Sequence, residues 1–278
     1  MDVDDPQGVG SALERSGAFV VHRMPALGIT EAVQAAVRGG ARRVVAAGGD
    51  GTISAVAAAI AEKDVELAVV PAGTFNHFAK DNGIPLDLDE ACQLAARGTN
   101  IRPVDAAWVN GRLFLNTSSV GVYANFVKGR DKWEPRFGYW AASAISMIRN
   151  FVRVQPFSLW FRSESAERPY HTPLVFIGVG ERELKLPTLG NRVDGGRRGL
   201  HVLIVRGRTR ARLVALAFAA ASRGLRAASR TPHLDTFLVE HCRIEQKHAT
   251  LAVDGEIVRL QSPLEYRFGE GALKLVVG

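Results

Sequence analysis

The chain has 278 residues, 47% hydrophobic and 23% charged, with 35 Lys and Arg against 28 Asp and Glu and a formal charge of +7. That composition excludes a disordered or fibrous chain, and the length allows two domains with sizeable cores. The two cysteines, Cys92 and Cys242, exclude a disulfide framework and a zinc site.

A reducing compartment fits that cysteine usage, and the acidic start MDVDDPQG does not read as a signal peptide. The expected localisation is cytoplasmic. The basic surplus favours anionic partners, namely nucleotides, nucleic acid or an anionic membrane surface; the plain alternative is a soluble protein rich in arginine.

In chain order, AFVVHRMP (18–25) predicts a strand and GITEAVQAAVRGGA (28–41) a helix, with Thr30 as cap and Gly39-Gly40 as its end. RRVVAAGG is the next strand, TISAVAAAIAEKD the next helix and ELAVVPAG a third strand. LDEACQLAARG (88–98) is a helix capped by Asp89 and ended by Gly98. Strands separated by helices of this length imply a parallel sheet with right-handed crossovers.

After about residue 105 the pattern turns to β. AAWVNGRLFLNTSSVG holds an Asn-Gly hairpin signal, and FSLWFRSESAERPYHTPLVFIGVG reads as two strands around a polar turn. GLHVLIV, TFLVEHCRIEQ, ATLAVDGEIVRL and PLEYRFGEGALKLVVG follow as short β segments. Helical patches interrupt them at 137–150 and 209–226. The tract RLVALAFAAASRGL (212–225) is too short and too flanked by Arg to span a bilayer; it either faces a core or lies on a membrane surface.

The expected architecture is therefore α/β plus β. An α/β front half followed by a β-rich back half argues for two domains with a cleft between them.

Two glycine-rich loops carry the chemistry. In VVAAGGDGTISAV a strand ends in Gly48-Gly49-Asp50-Gly51-Thr52 and enters a helix. Glycine admits close approach of a ligand to the backbone, the helix N-terminus favours an anion, and Thr52 adds a hydroxyl. A carboxylate there repels phosphate unless a cation lies between them, so Asp50 indicates either a Mg²⁺-nucleotide or a helix cap without ligand.

VVPAGTFNHFAKDNGIP repeats the strand–Gly-Thr–helix pattern, with Gly73, Thr74 and Asn76 as donors and Lys80 as a cation. His77 is either a phosphate contact or base, or a surface histidine. The carboxyl ends of adjacent parallel strands face one crevice, which makes a joint phosphate floor of the two loops.

GGDGT followed by PxGTxNxFA resembles the diacylglycerol kinase catalytic-domain family, more narrowly the bacterial soluble lipid kinases related to diacylglycerol and sphingosine kinases. The likeness continues in PVDAAWVNGRLFLNTSSVGVYA (103–124) and in LAVDGEIV (251–258). The resemblance implies a three-layer α/β nucleotide-binding domain over 1–105 and a β-sandwich lipid-acceptor domain over 106–268, with the tail 269–278 packing back on the first and catalysis in the cleft. It also implies ATP and Mg²⁺ as cofactors, held by Asp50 and Asp105 directly or through water. It makes Glu256 the base for a lipid hydroxyl, with Asp254 in support. Read without the family, VDGE is a hairpin turn.

The resemblance further implies a membrane lipid as substrate and peripheral association with an anionic membrane. A homodimer is a further option, and no nucleic-acid module is recognisable. MDVDDPQGVGSAL contains no Asn-Pro-x-Ser-Gly loop, so either the start is misassigned or truncated, or the α/β domain lacks the family's first strand and first phosphate loop. Asp194-Gly195 matches a turn beside a structural Mg²⁺ in relatives, while the arginines that follow depart from the pattern.

VKGRDKWEPRFGYW (127–140) places aromatics beside cations, suited either to a headgroup interface or to packing at the domain junction. The alternatives to a lipid kinase are a phosphotransferase like the NAD kinases, with a soluble acceptor, and an inactive lipid- or nucleotide-binding homologue.

Overall fold

A computed structural model describes residues 8–17, 28–121, 156–184, 189–193, 195–206, 234–246 and 249–278. The predicted strand 18–25, the helical patches 137–150 and 209–226, the stretch 127–140 and Asp194 lie outside those residues. Two compact units divide the chain, Met1–Ala106 with Glu270–Gly278, and Ala107–Gly269.

In the first unit the described elements are α1 (Val9–Arg15), α2 (Ile29–Arg38), β1 (Arg43–Gly48), α3 (Asp50–Ile60), β2 (Glu66–Pro71), α4 (His77–Asp81), α5 (Leu88–Arg97) and the start of β3 (Asn100–Val109). β1 and β2 run parallel, with Arg43 opposite Glu66 and Gly48 opposite Pro71. β2 is buried from Leu67 to Pro71 without alternation, as a parallel strand covered on both faces should be.

Its coverings explain the flanking sequences. Ile53, Val56, Ala57 and Ile60 recur at helical spacing along the buried face of α3, which packs on β1 and β2. Ala91, Cys92 and Ala95 of α5 join Ala12 of α1 against Ala68, Val70 and Val276. Helix, sheet and helix form the three expected layers.

Arg43 ties β1 to α5. Its Nε meets Glu66 at 2.7 Å, and its Nη1 and Nη2 donate to the carbonyls of Ala95 and Gly98 at 2.9 and 2.7 Å, satisfying acceptors that a helix end leaves without partners.

Two predicted caps are corrected. α2 starts at Gly28, which has a left-handed backbone (φ 98°) and no side-chain cap bond, so Thr30 lies within the helix. α5 is capped by Asp87, whose carboxylate accepts from Glu90 N at 3.0 Å; Asp89 lies in the first turn.

The second unit takes the end of β3 and then β4 (Arg112–Phe114), β5 (Thr117–Gly121), β6 (Phe157–Ser163), β7 (Glu167–Thr172), β8 (Leu174–Val179), the hairpin β9 (Arg182–Leu184) and β10 (Leu189–Arg192), β11 (Leu200–Val205), β12 (Leu234–Val239), β13 (His241–Glu245), β14 (Ala249–Val253) and β15 (Glu256–Leu260). The long β16 (Leu264–Val277) gives its first residues to this unit, pairing with β13, and its last to the first unit, pairing parallel with β2.

One sheet of the second unit places β13 beside β6 and β6 beside β7; the other runs β12-β11-β8-β5-β14-β15. Phe114, Phe161 and Tyr266 from the first and Val175, Ile177, Val202 and Leu251 from the second share one buried core. Ser118 meets Tyr266 there, hydroxyl to hydroxyl at 3.0 Å, so neither buried oxygen lacks a partner.

The Asn-Gly hairpin forms between β3 and β4 with φ of 47° at Asn110 and 82° at Gly111, the pair of positive values a type I′ turn requires. Two expectations are corrected. The segment 157–180 holds three strands, because Pro173 cannot donate to a ladder and separates β7 from β8, which belongs to the opposite sheet. TFLVEHCRIEQ splits at Glu240 into β12 and β13, again on different sheets.

Candidate active site

Sterics account for Gly48 and Gly73 in the two loops. A Cβ on Gly73 would lie 2.5 Å from Gly49 Cα and 2.9 Å from Asn76 Oδ1; a Cβ on Gly48 would lie 2.7 Å from Thr52 Oγ1. The two loops therefore pack backbone on backbone, and Gly48 lets Thr52 fold over the strand end. Ala72 N donates to Gly48 O at 2.9 Å, extending the β1–β2 register into the loops.

At the floor, α3 begins at Asp50 with Gly49 as its cap residue and no side-chain cap bond. The cap residue offers the first-turn N–H groups of this eleven-residue helix no side-chain acceptor, and Gly51 is exposed beside them. Such an end is built for an anion.

Asp50 does not cap its own helix. Its Oδ2 accepts from His77 N at 3.2 Å and its Oδ1 from Phe78 N at 3.1 Å. The carboxylate of the first loop thereby holds the start of α4 in the second. Each oxygen takes one N–H in these bonds, which leaves lone-pair capacity for a cation.

Asn76, left-handed at φ 50°, shapes its own loop. Its Oδ1 accepts from Gly73 N and its Nδ2 donates to Gly73 O, both at 2.9 Å. Asparagine tolerates that backbone region, and the reversal sets Phe75 and His77 ring to ring, centroids 5.6 Å apart and 9° from parallel. Thr74 and His77 are exposed.

Asp105 is 2% exposed and accepts from Gly271 N at 2.9 Å. In this conformation it holds the returning strand β16. Among the described residues no group of three or more His, Cys, Asp or Glu is placed to hold a metal ion.

In the second unit, Asp254 and Gly255 make the turn between β14 and β15 with φ of 45° and 87°. The Asp254 carboxylate accepts three successive backbone donors, Leu115 N at 2.7 Å, Asn116 N at 2.8 Å and Thr117 N at 2.9 Å. Asp254 N returns a bond to Thr117 O at 2.8 Å.

Glu256 follows on an exposed edge strand and meets Arg112 Nη2 at 2.6 Å, with the two side chains 58% and 43% exposed. The structure thus brings Gly48, Gly49, Asp50, Gly51, Thr52, Gly73, Thr74 and Asn76 together in one unit, and Asp254 and Glu256 in the other.

Sequence reasoning missed Arg112, since nothing local signals a partner 144 residues away. It missed Asp87 although Asp87 and Glu90 stand at capping-box spacing. No described helix is long and apolar enough to cross a membrane.

Comparison with known proteins bears on the same residues. Residues 7–109 match the model of the diacylglycerol kinase catalytic domain. A protein of Pseudomonas aeruginosa UCBPP-PA14 named "Probable lipid kinase YegS-like" is 44% identical over 91 residues, 32% of this chain and 30% of that protein. A protein of the same name from Cronobacter sakazakii is 45% identical over 87 residues, 30% of this chain and 29% of its own length. The matched stretch therefore spans about a third of these curated relatives.

Over the whole fold, a crystal structure described as a diacylglycerol kinase from Bacillus anthracis Sterne superposes with a TM-score of 0.66 at 18% identity, covering 96% of this chain and 91% of that one. Two further solved chains from that organism give TM-scores of 0.72 and 0.73 at 20% and 19% identity, covering 96% and 99% of this chain and 91% and 95% of theirs. The α/β unit followed by a two-sheet β unit is thus the fold of those structures, and the match to the diacylglycerol kinase catalytic domain is confined to residues 7–109.

Proposed function

We propose that the chain is an ATP- and Mg²⁺-dependent lipid kinase that transfers a phosphoryl group to the hydroxyl of diacylglycerol or a related lipid, acting in the cytoplasm at the surface of an anionic membrane. The observation that carries the reading is the joined glycine floor, where the Gly49–Gly73 contact sets two loops against the uncapped first turn of α3.

The residues present fit a nucleotide. A Cβ at Gly48, Gly49 or Gly73 would crowd the floor, and the open N–H groups of α3 suit a phosphate. Asp50, with one backbone donor on each oxygen, is the carboxylate that would hold Mg²⁺, which binds through one or two carboxylates together with phosphate oxygens. ATP with Mg²⁺ supplies the phosphoryl group and neutralises its charge.

Glu256 would accept the proton of the lipid hydroxyl, as phosphoryl transfer needs a carboxylate at the nucleophile. Asp254 acts as its positioning residue through the three bonds to Leu115, Asn116 and Thr117. The exposed ion pair with Arg112 is worth about 0.2–1 kcal/mol, so the carboxylate can turn to a substrate at small cost.

The test is transfer of label from γ-labelled ATP, with Mg²⁺ and mixed-lipid vesicles, into an organic-extractable product. Glu256→Gln should lower the rate by about 10²–10⁴ with the fold intact. Label in a soluble acceptor instead would favour the NAD-kinase-like reading. No transfer to any acceptor, with nucleotide still bound, would leave a binding homologue.

A further inference from the structure

Among the described strands β7 ends one sheet of the second unit and β12 ends the other, and Tyr170 of β7 reaches Asp235 of β12. The aromatic rings of Phe161, Tyr170 and Phe237 pack there, with Phe161 and Phe237 centroids 4.9 Å apart. Over the rings lies a charged cluster that packing the rings does not require.

A single oxygen, Asp235 Oδ2, accepts from Tyr170 Oη at 2.6 Å, from Arg168 Nη2 at 3.0 Å and from Arg206 Nε at 2.8 Å; Arg206 Nη2 is 2.6 Å away. Arg168 Nε donates to the tyrosine oxygen at 2.7 Å. The Arg168 guanidinium lies 5.3 Å from the Tyr170 centroid and 5.7 Å from that of Phe237, and the Arg206 guanidinium 6.0 Å from Tyr170. Burial pushes the Tyr170 hydroxyl up to about 12, so it remains a neutral donor.

One arginine would neutralise Asp235, yet two are held there. The cluster keeps a net positive charge, and both arginine side chains stay nearly half exposed, at 44% and 45%, while Asp235 is 16% exposed. Among the described residues these bonds use Nε and Nη2 of each guanidinium and leave the two Nη1 groups, with four N–H donors, unspent. Like charges on one carboxylate oxygen repel at short range, and a second anion would relieve them. A planar guanidinium backed by rings is preorganised to donate to tetrahedral oxygens.

We propose that Arg168 and Arg206 form an anion site on the β unit that takes a phosphate group, of a phospholipid headgroup or of a free phosphate ester. It is separate from the glycine floor and from Glu256, and it stands whether or not the chain transfers phosphate.

Modification of the wild-type protein with phenylglyoxal, read residue by residue from peptide masses, tests it without a variant. Vesicles of phosphatidylcholine with phosphatidylglycerol, or inorganic phosphate, should slow the reaction of Arg168 and Arg206 several-fold. Arg162, paired with Glu167 on an exposed surface, is the internal control and should react as before. Protection by the anionic vesicles and not by inorganic phosphate assigns a headgroup; equal protection by both assigns a free phosphate ester.

Vesicle flotation should then show anionic-membrane affinity falling about five-fold for each of Arg168→Gln and Arg206→Gln, with pure phosphatidylcholine unaffected. Unchanged reactivity of Arg168 and Arg206 under every condition would overturn the site. Protection of Arg162 to the same degree would overturn it as well, since the effect would then be general surface attraction.

Discussion

Each unit contains an Asp-Gly pair at a candidate site, Asp50-Gly51 in the α/β unit and Asp254-Gly255 in the β unit, and the two carboxylates serve different ends. Asp50 opens a helix and reaches sideways to two backbone donors at 3.1 and 3.2 Å. Asp254 sits in a hairpin turn and gathers three donors at 2.7 to 2.9 Å. Charge-assisted bonds of that length and number make Asp254 a clamp whose capacity is nearly filled. The longer, sparser bonds of Asp50 hold a loop in place and keep room for a cation. The same dipeptide thus marks a three-donor clamp within a turn in one unit and a two-donor tie between loops in the other.

The largest effect expected from that contrast is at Asp254. Asparagine accepts the left-handed backbone, so Asp254→Asn isolates the carboxylate. Turning an amide toward three partly buried N–H groups should cost about 3 kcal/mol in urea unfolding. A loss below about 1 kcal/mol would mean that the turn, and not the carboxylate, organises Glu256.

Gly73→Ala comes next. Its Cβ would sit 2.5 Å from Gly49 Cα, and separating two packed backbones should cost about 1–3 kcal/mol. ADP affinity by calorimetry should fall at least about ten-fold; unchanged affinity would show that the loop contact does not shape the floor.

Asp50→Asn keeps one acceptor and should cost only about 1 kcal/mol. If Asp50 also holds Mg²⁺, nucleotide affinity will fall further with Mg²⁺ than with EDTA. An equal loss in both would confine it to holding the loops.

How far these differences could be read in advance depends on how local their causes are. The α/β alternation, the Asn110-Gly111 hairpin and the two glycine loops announce themselves through period, turn residues and Gly-Thr strand ends. The reason for Gly73 does not, because its neighbour Gly49 stands 24 residues earlier and only the parallel register of β1 and β2 joins them. Likewise Asp50 read as either a metal ligand or a cap, and it is bonded to backbone at His77 and Phe78 across two loops.

Sheet membership was also out of reach. Pro173 and Glu240 each separate strands that join opposite sheets, and alternation marks which residues face a core without saying which sheet carries them. The Asp254 clamp and the Arg112–Glu256 pair depend on partners about 140 residues away, for which a single sequence carries no signal.

The smallest effect expected is at Arg112, and it bears on the opposite side of the same comparison. If the Asp254 clamp fixes the turn, Glu256 does not need Arg112 to stay in place. Arg112→Ala should then change stability by less than about 1 kcal/mol, as for exposed pairs generally. A double-mutant cycle with Glu256→Gln should give a coupling of similar size. In lipid phosphorylation the same variant should alter KM more than kcat, since the guanidinium neighbours the carboxylate without replacing it. A coupling of 2 kcal/mol or more, or a fall in kcat matching that of Glu256→Gln, would shift the support of Glu256 from the turn to the ion pair, and the second Asp-Gly site would then be held by a side chain exposed to solvent.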